Sequence, residues 1–260
     1  MLGFSSRDPR SPNGARGHRA YVVGDIHGRL DLLDELLGSI EGDLAARPAR
    51  KALLVFVGDL IDRGPQSAEV VERLRTYRRS GVRTVFLLGN HEEVLLRILR
   101  GDAGLVRKWC SFGGAECLKS YGVDSKSLAR LPGTEAVEVI REAIPKEHVA
   151  FLESFDDTCR FGDYLFVHAG IRPGIELERQ SQTDLRWIRE PFLLDDTDHG
   201  FTVVHGHTIT TDVEERGNRI GIDTGAYRTG VLTALVIDGP DRRLLVTGAT
   251  TAVEAGRPVH

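Results

Sequence analysis

The chain has 260 residues, 41% of them hydrophobic, with 34 basic and 38 acidic side chains and a formal net charge of −4. That balance excludes a strongly basic nucleic-acid groove and a polybasic membrane patch, and no uncharged apolar run reaches the roughly 18 residues a membrane-spanning helix needs. Cys110, Cys117 and Cys159 are odd in number, widely spaced and without a CxxC pair, which argues against a disulfide scaffold and fits a reducing cytoplasm.

Residues 1–18 are polar and turn-rich, lack the apolar stretch of a secretory signal, and read as a loose leader. Residues 20–26 form a first strand, and Leu30, Leu33, Leu37 and Ile40 then share one helical face over 30–40. A second strand is expected at 52–57 and a helix from Ser67 to Arg79, with Val70, Val71 and Leu74 as its apolar side. A third strand at 83–88 leads to a helix starting near Glu92, with Val94, Leu95, Ile98 and Leu99 inward. This alternation predicts right-handed crossovers and a mainly parallel sheet.

From 101 to 160 the expectation is helical: Val106 to Tyr121, Glu135 to Ala143, and a helix opened by Pro145. That stretch reads as an insertion, either plain packing helices or a wall over a site. Strands return at 163–168 and 201–205, and the segments EERGNRIGIDTG, GVLTALVIDG and RRLLVTG read as short antiparallel strands joined by glycine turns, one at Gly239 and Pro240. One domain then spans 19–250, and 251–260 reads as a frayed tail.

Five of the apolar runs end in residues that bind metal or phosphate. Asp25 and His27 follow the first, and in extended backbone residues two apart point the same way, so both can touch one ion. Asp59 ends the second run; its two oxygens can bridge cations about 3.5–4 Å apart. Asp62 and Arg63 follow it, and a guanidinium offers a planar donor fork for phosphate. Asn90 and His91 end the third run; neighbours in sequence face different ways, so one can ligate while the other faces substrate. Glu92 suits a helix N-terminus and reads as a supporting residue. His168 ends the fourth run and His205 and His207 the fifth; spacing alone does not choose between the last two. An oxygen and imidazole donor set without cysteine suits manganese, iron, zinc or cobalt better than calcium.

With those residues in place the chain resembles the calcineurin-like metallophosphoesterases. The matching pieces are Gly24-Asp25-Ile26-His27-Gly28, Gly58-Asp59-Leu60-Ile61-Asp62-Arg63-Gly64-Pro65, Gly89-Asn90-His91-Glu92, His168-Ala169-Gly170 and Gly206-His207-Thr208, spread over about 20–237. Their wording looks like the phosphoprotein phosphatase branch, including its bacterial serine/threonine phosphatases, and like the symmetrical diadenosine tetraphosphate hydrolases. The resemblance implies two mixed β-sheets packed face to face with flanking helices, an α/β/β/α sandwich carrying the helical insertion. It implies two divalent ions, manganese first and iron or zinc as alternatives. Asp25 and His27 would hold one ion, Asn90, His168 and His207 the other, and Asp59 both. His91, paired with Asp62, would protonate the leaving oxygen, Arg63 would grip the phosphate, and metal-activated water would attack phosphorus directly.

Where the wider superfamily often carries a further histidine after GH, this chain has Ile209, as in the phosphatase branch. A second phosphate-binding arginine is expected in DLRWIREPF, Arg189 in preference to Arg186, and Tyr227 resembles a residue near the family's site. The favoured expectation is a serine/threonine protein phosphatase acting on a phosphorylated protein or small phosphoester. A symmetrical diadenosine tetraphosphate hydrolase is the alternative, and a metal-binding scaffold without turnover the alternative of another class. Intact His91 and Arg63 argue against the scaffold, which needs neither. Neither nucleic acid nor membrane is expected as a partner, and oligomeric state is not legible.

Overall fold

The structure, a computed structural model, describes residues 12–49 and 51–248. Of the leader and tail expected at 1–18 and 251–260, residues 1–11 and 251–260 lie outside the described residues. The Gly14 N–H donates to the Gly239 carbonyl at 2.8 Å, so the chain is already seated on the fold before the first strand.

Among the described residues ten strands form two mixed five-stranded sheets. In the first, β1 (His18–Val23), β2 (Lys51–Phe56) and β3 (Val82–Phe86) run parallel, and β9 (Thr233–Asp238) and β10 (Asp241–Val246) add an antiparallel hairpin beside β1. In the second, β5 (Tyr164–Val167), β6 (Thr202–His205) and β8 (Arg219–Gly221) run parallel between two antiparallel edges, β4 (Thr158–Phe161) and β7 (Glu214–Glu215). The mainly parallel sheet expected from the N-terminal half is therefore one half of one sheet. The strand at 219–221 is antiparallel to β7, as its glycine turn suggests, but parallel to β6 on its other side.

Period-two alternation builds the layers. Along β1, Tyr21 and Val23 join the cluster beneath the helices, while Ala20 and Val22 join Val55, Phe166, Val204 and Ile220 between the sheets. The helical side is covered by α1 (Leu30–Ala46), whose Leu33, Leu36, Leu37 and Ile40 are buried, by α2 (Ser67–Arg75) and by α3 (Asn90–Leu99). On the far face of the second sheet, α9 (Gln182–Trp187) and the turn at 192–194 bury Leu185 and Phe192 against Leu165, Val167 and Val203. The result is the expected α/β/β/α sandwich.

Between α3 and β4 the helices are α4 (Val106–Trp109), α5 (Ala115–Ser120), α6 (Ser125–Leu128), α7 (Gly133–Ala143) and α8 (Lys146–Glu153). Asp124 caps α6 through the N–H groups of Lys126 and Ser127. The helix expected from Val106 to Tyr121 is broken: a wide turn at 110–114 separates α4 from α5, and Gly113 there has φ 112°. The helical reading of the sequence also extends through 160, whereas Thr158–Phe161 is a strand paired to β5. No helix among the described residues is long and apolar enough to cross a membrane.

Candidate metal centre

The parallel strands deliver their C-terminal ends to one edge of the sandwich, and the loops that leave those ends carry the polar residues. Among the described residues five non-glycine positions have positive φ: His27 (47°), Asp59 (50°), Asp62 (72°), Arg63 (65°) and His207 (62°). Each costs about 1–2 kcal/mol relative to ordinary backbone, and all five were singled out as site residues by the sequence. His27 therefore does not reach the site by extended i, i+2 geometry; a left-handed turn aims it there.

Buried hydrogen bonds hold this backbone. The Asp59 carbonyl accepts from the N–H groups of Ile26 (3.1 Å) and His27 (2.9 Å). The Glu92 carboxylate, at the start of α3 and fully buried, accepts from the N–H groups of Asp59 (2.9 Å), Leu60 (2.8 Å) and Gly89 (3.1 Å). It ties the second strand-end loop to the third.

Asp59 sits at the centre. Ligand-capable atoms of His27, Asp59 and His91 lie within 4.8 Å of one another, as do those of Asp59, His168 and His207. His27 Nδ1 donates to the Ile61 carbonyl and His168 Nδ1 to the Val57 carbonyl, both at 2.8 Å. A carbonyl only accepts, so these rings carry their proton on Nδ1 and present Nε2 to Asp59, at 3.6 Å and 3.5 Å. Asn90 Oδ1 accepts from His207 Nδ1 at 2.9 Å and lies 3.0 Å from His168 Nε2, two lone pairs turned toward the same point. Asp25 lies beside the second trio: its Oδ2 accepts the His207 N–H at 3.0 Å. Asp25 Oδ1 and His207 Nε2 are buried without a hydrogen-bond partner among the described residues.

Burial alone would raise Asp59, but the cationic forms of His168, His91, His27 and His207, which it meets as pH falls, outweigh burial and hold its carboxyl far below the usual range. Burial, with Asp223 and Asp59 nearby, pushes Asp25 well above its ordinary value. Burial also lowers His27 and His168, and takes His207 down to about 3, so these imidazoles are neutral. Two buried carboxylates, an amide oxygen and neutral imidazoles with inward lone pairs, two of their atoms unpartnered, fit divalent cations.

His91 differs from the other rings. Its Nδ1 bonds Asp62 Oδ2 at 2.6 Å, and although burial would lower it, Asp59 and Asp62 carry it up to about 8. Arg63 reaches across to His27 Nε2 (2.9 Å) and His91 Nε2 (3.1 Å). The Tyr227 ring lies under the Arg63 guanidinium, 4.8 Å from its centroid, and meets His27 edge-on at 5.4 Å.

A cleft of about 390 Å³ opens over this group, lined by Arg63, Asn90, His91 and His207 on its floor and by residues that include Arg97, Lys108, Trp109, Phe112, Trp187 and Arg189 on its walls. Arg186 is held apart by ion pairs to Asp157 (2.6 Å) and Glu93 (3.3 Å). His205 is buried against Phe192 and belongs to neither trio.

Two neighbours went unnoticed in the sequence. Asp223, carried up to about 6 by burial and set against Asp25, ends the run Arg219–Ile222, so the rule that found the other five strand ends applies to it as well. Trp109 donates its indole N–H to Asp62 Oδ2 at 2.8 Å; a tryptophan at helical spacing reads as core, and nothing local marks it otherwise.

The family model described as calcineurin-like phosphoesterase matches residues 18–237. An asymmetrical bis(5'-nucleosyl)-tetraphosphatase of Anoxybacillus flavithermus is 29% identical over 82% of this chain and 88% of its own length. Serine/threonine-protein phosphatase 1 of Salmonella typhimurium is also 29% identical, over 82% of this chain and 89% of its own. A crystal structure carrying the provisional name diadenosine tetraphosphatase superposes with a TM-score of 0.62 over 92% of this chain and all of that one, at 23% identity, which shows a shared fold.

Proposed function

The chain belongs to the calcineurin-like phosphoesterase family, and from that membership we propose that it is a phosphomonoester hydrolase of the phosphoprotein phosphatase branch, acting on phosphoserine and phosphothreonine in proteins. The observation that carries the reading is Asp59, one buried carboxylate shared by two ligand trios whose His91 and His207 line a cleft together with Arg63, with Asp62 bonded to His91 behind it. Asp25 and His27 would hold one divalent ion, Asn90, His168 and His207 the second, and Asp59 both; manganese, iron and zinc suit these donors. When bound, such ions supply a nucleophilic water near neutral pH and offset phosphate charge.

The remaining chemistry belongs to the chain itself. Arg63 and Arg189 grip the phosphate oxygens, and Tyr227 fixes the Arg63 plane by stacking beneath it. His91 Nε2 lies 3.8 Å from Asp59, but Asp59 and Asp62 carry this ring up to about 8, so unlike His27 and His168 it holds a proton on Nε2 as well as on the Nδ1 bonded to Asp62, and its task is to give the Nε2 proton to the leaving oxygen. Once His91 is charged, Nε2 and the Arg63 guanidinium are both donors about 3 Å apart. A phosphate oxygen is the acceptor that satisfies both. The three cysteines are free and no long apolar helix is described, so we place the reaction in the reducing cytoplasm.

A second reading, hydrolysis of dinucleoside polyphosphates, is favoured by the cleft walls. Phe112 and Trp187 are exposed aromatics, and Lys108 and Arg97 add cations beyond the phosphate grip. Planar bases and extra phosphates suit such walls. Purified protein with manganese, assayed side by side on a phosphoserine peptide and on diadenosine tetraphosphate, decides. Higher kcat/KM on the peptide supports the phosphatase; the reverse order replaces it with the second reading. Metal-loaded protein inactive on both would leave the scaffold expectation standing.

A further inference from the structure

We propose that Trp109 is a positioning residue for the proton donor: its indole N–H selects which carboxylate oxygen of Asp62 holds His91, and Trp109 with the 110–114 turn thereby aligns the acid pair with the phosphate grip. The proposal rests on the reading of His91 as the general acid. A carboxylate has two equivalent oxygens, and rotation about its last bond exchanges them. Here both donors converge on one: Asp62 Oδ2 accepts His91 Nδ1 at 2.6 Å and Trp109 Nε1 at 2.8 Å, while Oδ1 is buried without a partner among the described residues.

The indole comes from a different part of the chain than the pair it holds. Trp109 is 2% exposed and ends α4, and the wide turn begins immediately after it. That turn grips the adjacent residue too, since the Gly113 carbonyl accepts the Arg63 N–H at 3.0 Å. No side chain fits there. A Cβ on Gly113 would stand 2.6 Å from Arg63 Cγ, and one on Gly114 would stand 2.4 Å from the Trp109 ring. With φ 112° at Gly113 as well, the glycine pair is the condition for this approach. Asp62 and Arg63 are themselves in left-handed backbone, and one turn of the helical segment meets both, Asp62 at its side chain and Arg63 at its backbone.

Loss of the indole N–H leaves Asp62 able to turn its other oxygen, so His91 loses its fixed direction without loss of any proposed metal ligand. The consequence depends on the leaving group. An ester of a weakly acidic alcohol needs the proton in the transition state; an ester of an acidic nitrophenol does not. The test uses Trp109→Phe, and in parallel benzothienylalanine at 109, which keeps the bicyclic shape and replaces N–H by sulfur. Each is loaded with manganese and assayed on phenyl phosphate and on dinitrophenyl phosphate, with metal content measured. The expected result is a fall in kcat of about tenfold on phenyl phosphate, little change on dinitrophenyl phosphate, unchanged metal content, and no further loss when the change is added to His91→Asn. Equal losses on both esters, no loss on either, or loss of metal in both variants would overturn the proposal. His91→Asn is the control for the reading beneath it. If that variant shows no dependence on leaving group, the general-acid assignment fails and the role of Trp109 falls with it; if it shows the dependence and the two Trp109 variants do not, Trp109 alone is misassigned.

Discussion

The strand-end loops and the helical segment from 103 to 153 meet at the cleft but are built on opposite terms. The loops hold their polar groups in left-handed backbone, bury carboxylates among imidazoles, and depend on Glu92 and the Asp59 carbonyl to stay closed. The helices bury ordinary apolar stripes, Val106, Leu118, Val137, Ile140 and Leu152, in relaxed backbone, and depart from it at the 110–114 turn. Strain of about 1–2 kcal/mol per residue persists only where neighbours over-determine it. The contrast teaches that the groups around Asp59 are fixed by backbone with one solution, whereas the cleft walls above them are set by exposed side chains such as Phe112 and Lys108.

The contrast breaks most completely at its centre. Asp59→Asn removes the charge that both trios share, and the expected outcome is loss of bound metal together with a fall in kcat of about a thousandfold or more, since each 1.4 kcal/mol is a factor of ten. Metal analysis of the purified variant checks it; two ions retained with activity intact would mean the trios do not share their carboxylate. His91→Asn comes next. Turnover is expected to fall by about 10²- to 10⁴-fold while metal content stays unchanged, which separates proton transfer from ligation. Loss of metal in this variant would instead make His91 a ligand.

Glu92→Gln tests the strain rather than the chemistry. An amide keeps one accepting oxygen, but its NH₂ then faces the N–H groups of either Asp59 and Gly89 or Leu60 and Ile61, whichever pair the oxygen does not serve. A destabilisation of about 1–3 kcal/mol is expected, read by urea unfolding. Stability equal to wild type would show that the left-handed loop closes without this carboxylate.

The same contrast explains what the sequence disclosed. The strand ends were legible because β-branched runs set the strands and because few residue types can bind metal or phosphate; Asp25, Asp59 and His168 announce both facts at once. Asp223 obeys the same rule and could have been read the same way. The direction of His27 was not legible, because a left-handed φ is imposed by the Asp59 carbonyl from another loop. β4 was missed because Thr158-Cys159-Arg160-Phe161 is short and mostly half-exposed, and pairing with β5 rather than propensity makes it a strand. The break after Trp109 was missed because apolar residues continue at helical spacing through Cys117 and Leu118, while the reason for the break, contact of Gly113 with Arg63, is tertiary.

The smallest expected effect lies on the cleft wall. Phe112 is 57% exposed, and the Lys108 ammonium lies 5.9 Å from its ring centroid. Stacking of a base on an aromatic contributes about 1–3 kcal/mol, and an exposed ring sits at the low end of that range. Phe112→Ala is therefore expected to raise KM for diadenosine tetraphosphate by about fivefold and to leave kcat and protein stability unchanged. With phenyl phosphate, which ends before the wall, KM should not move. The comparison sharpens the division between floor and wall because both substrates place a phosphoryl group on the floor and only the tetraphosphate carries bases that reach the wall. Equal effects on both would mean that Phe112 acts through the floor, most directly through the turn it shares with Trp109 and Gly113, and the wall would then be part of the catalytic scaffold rather than a separate determinant of substrate choice.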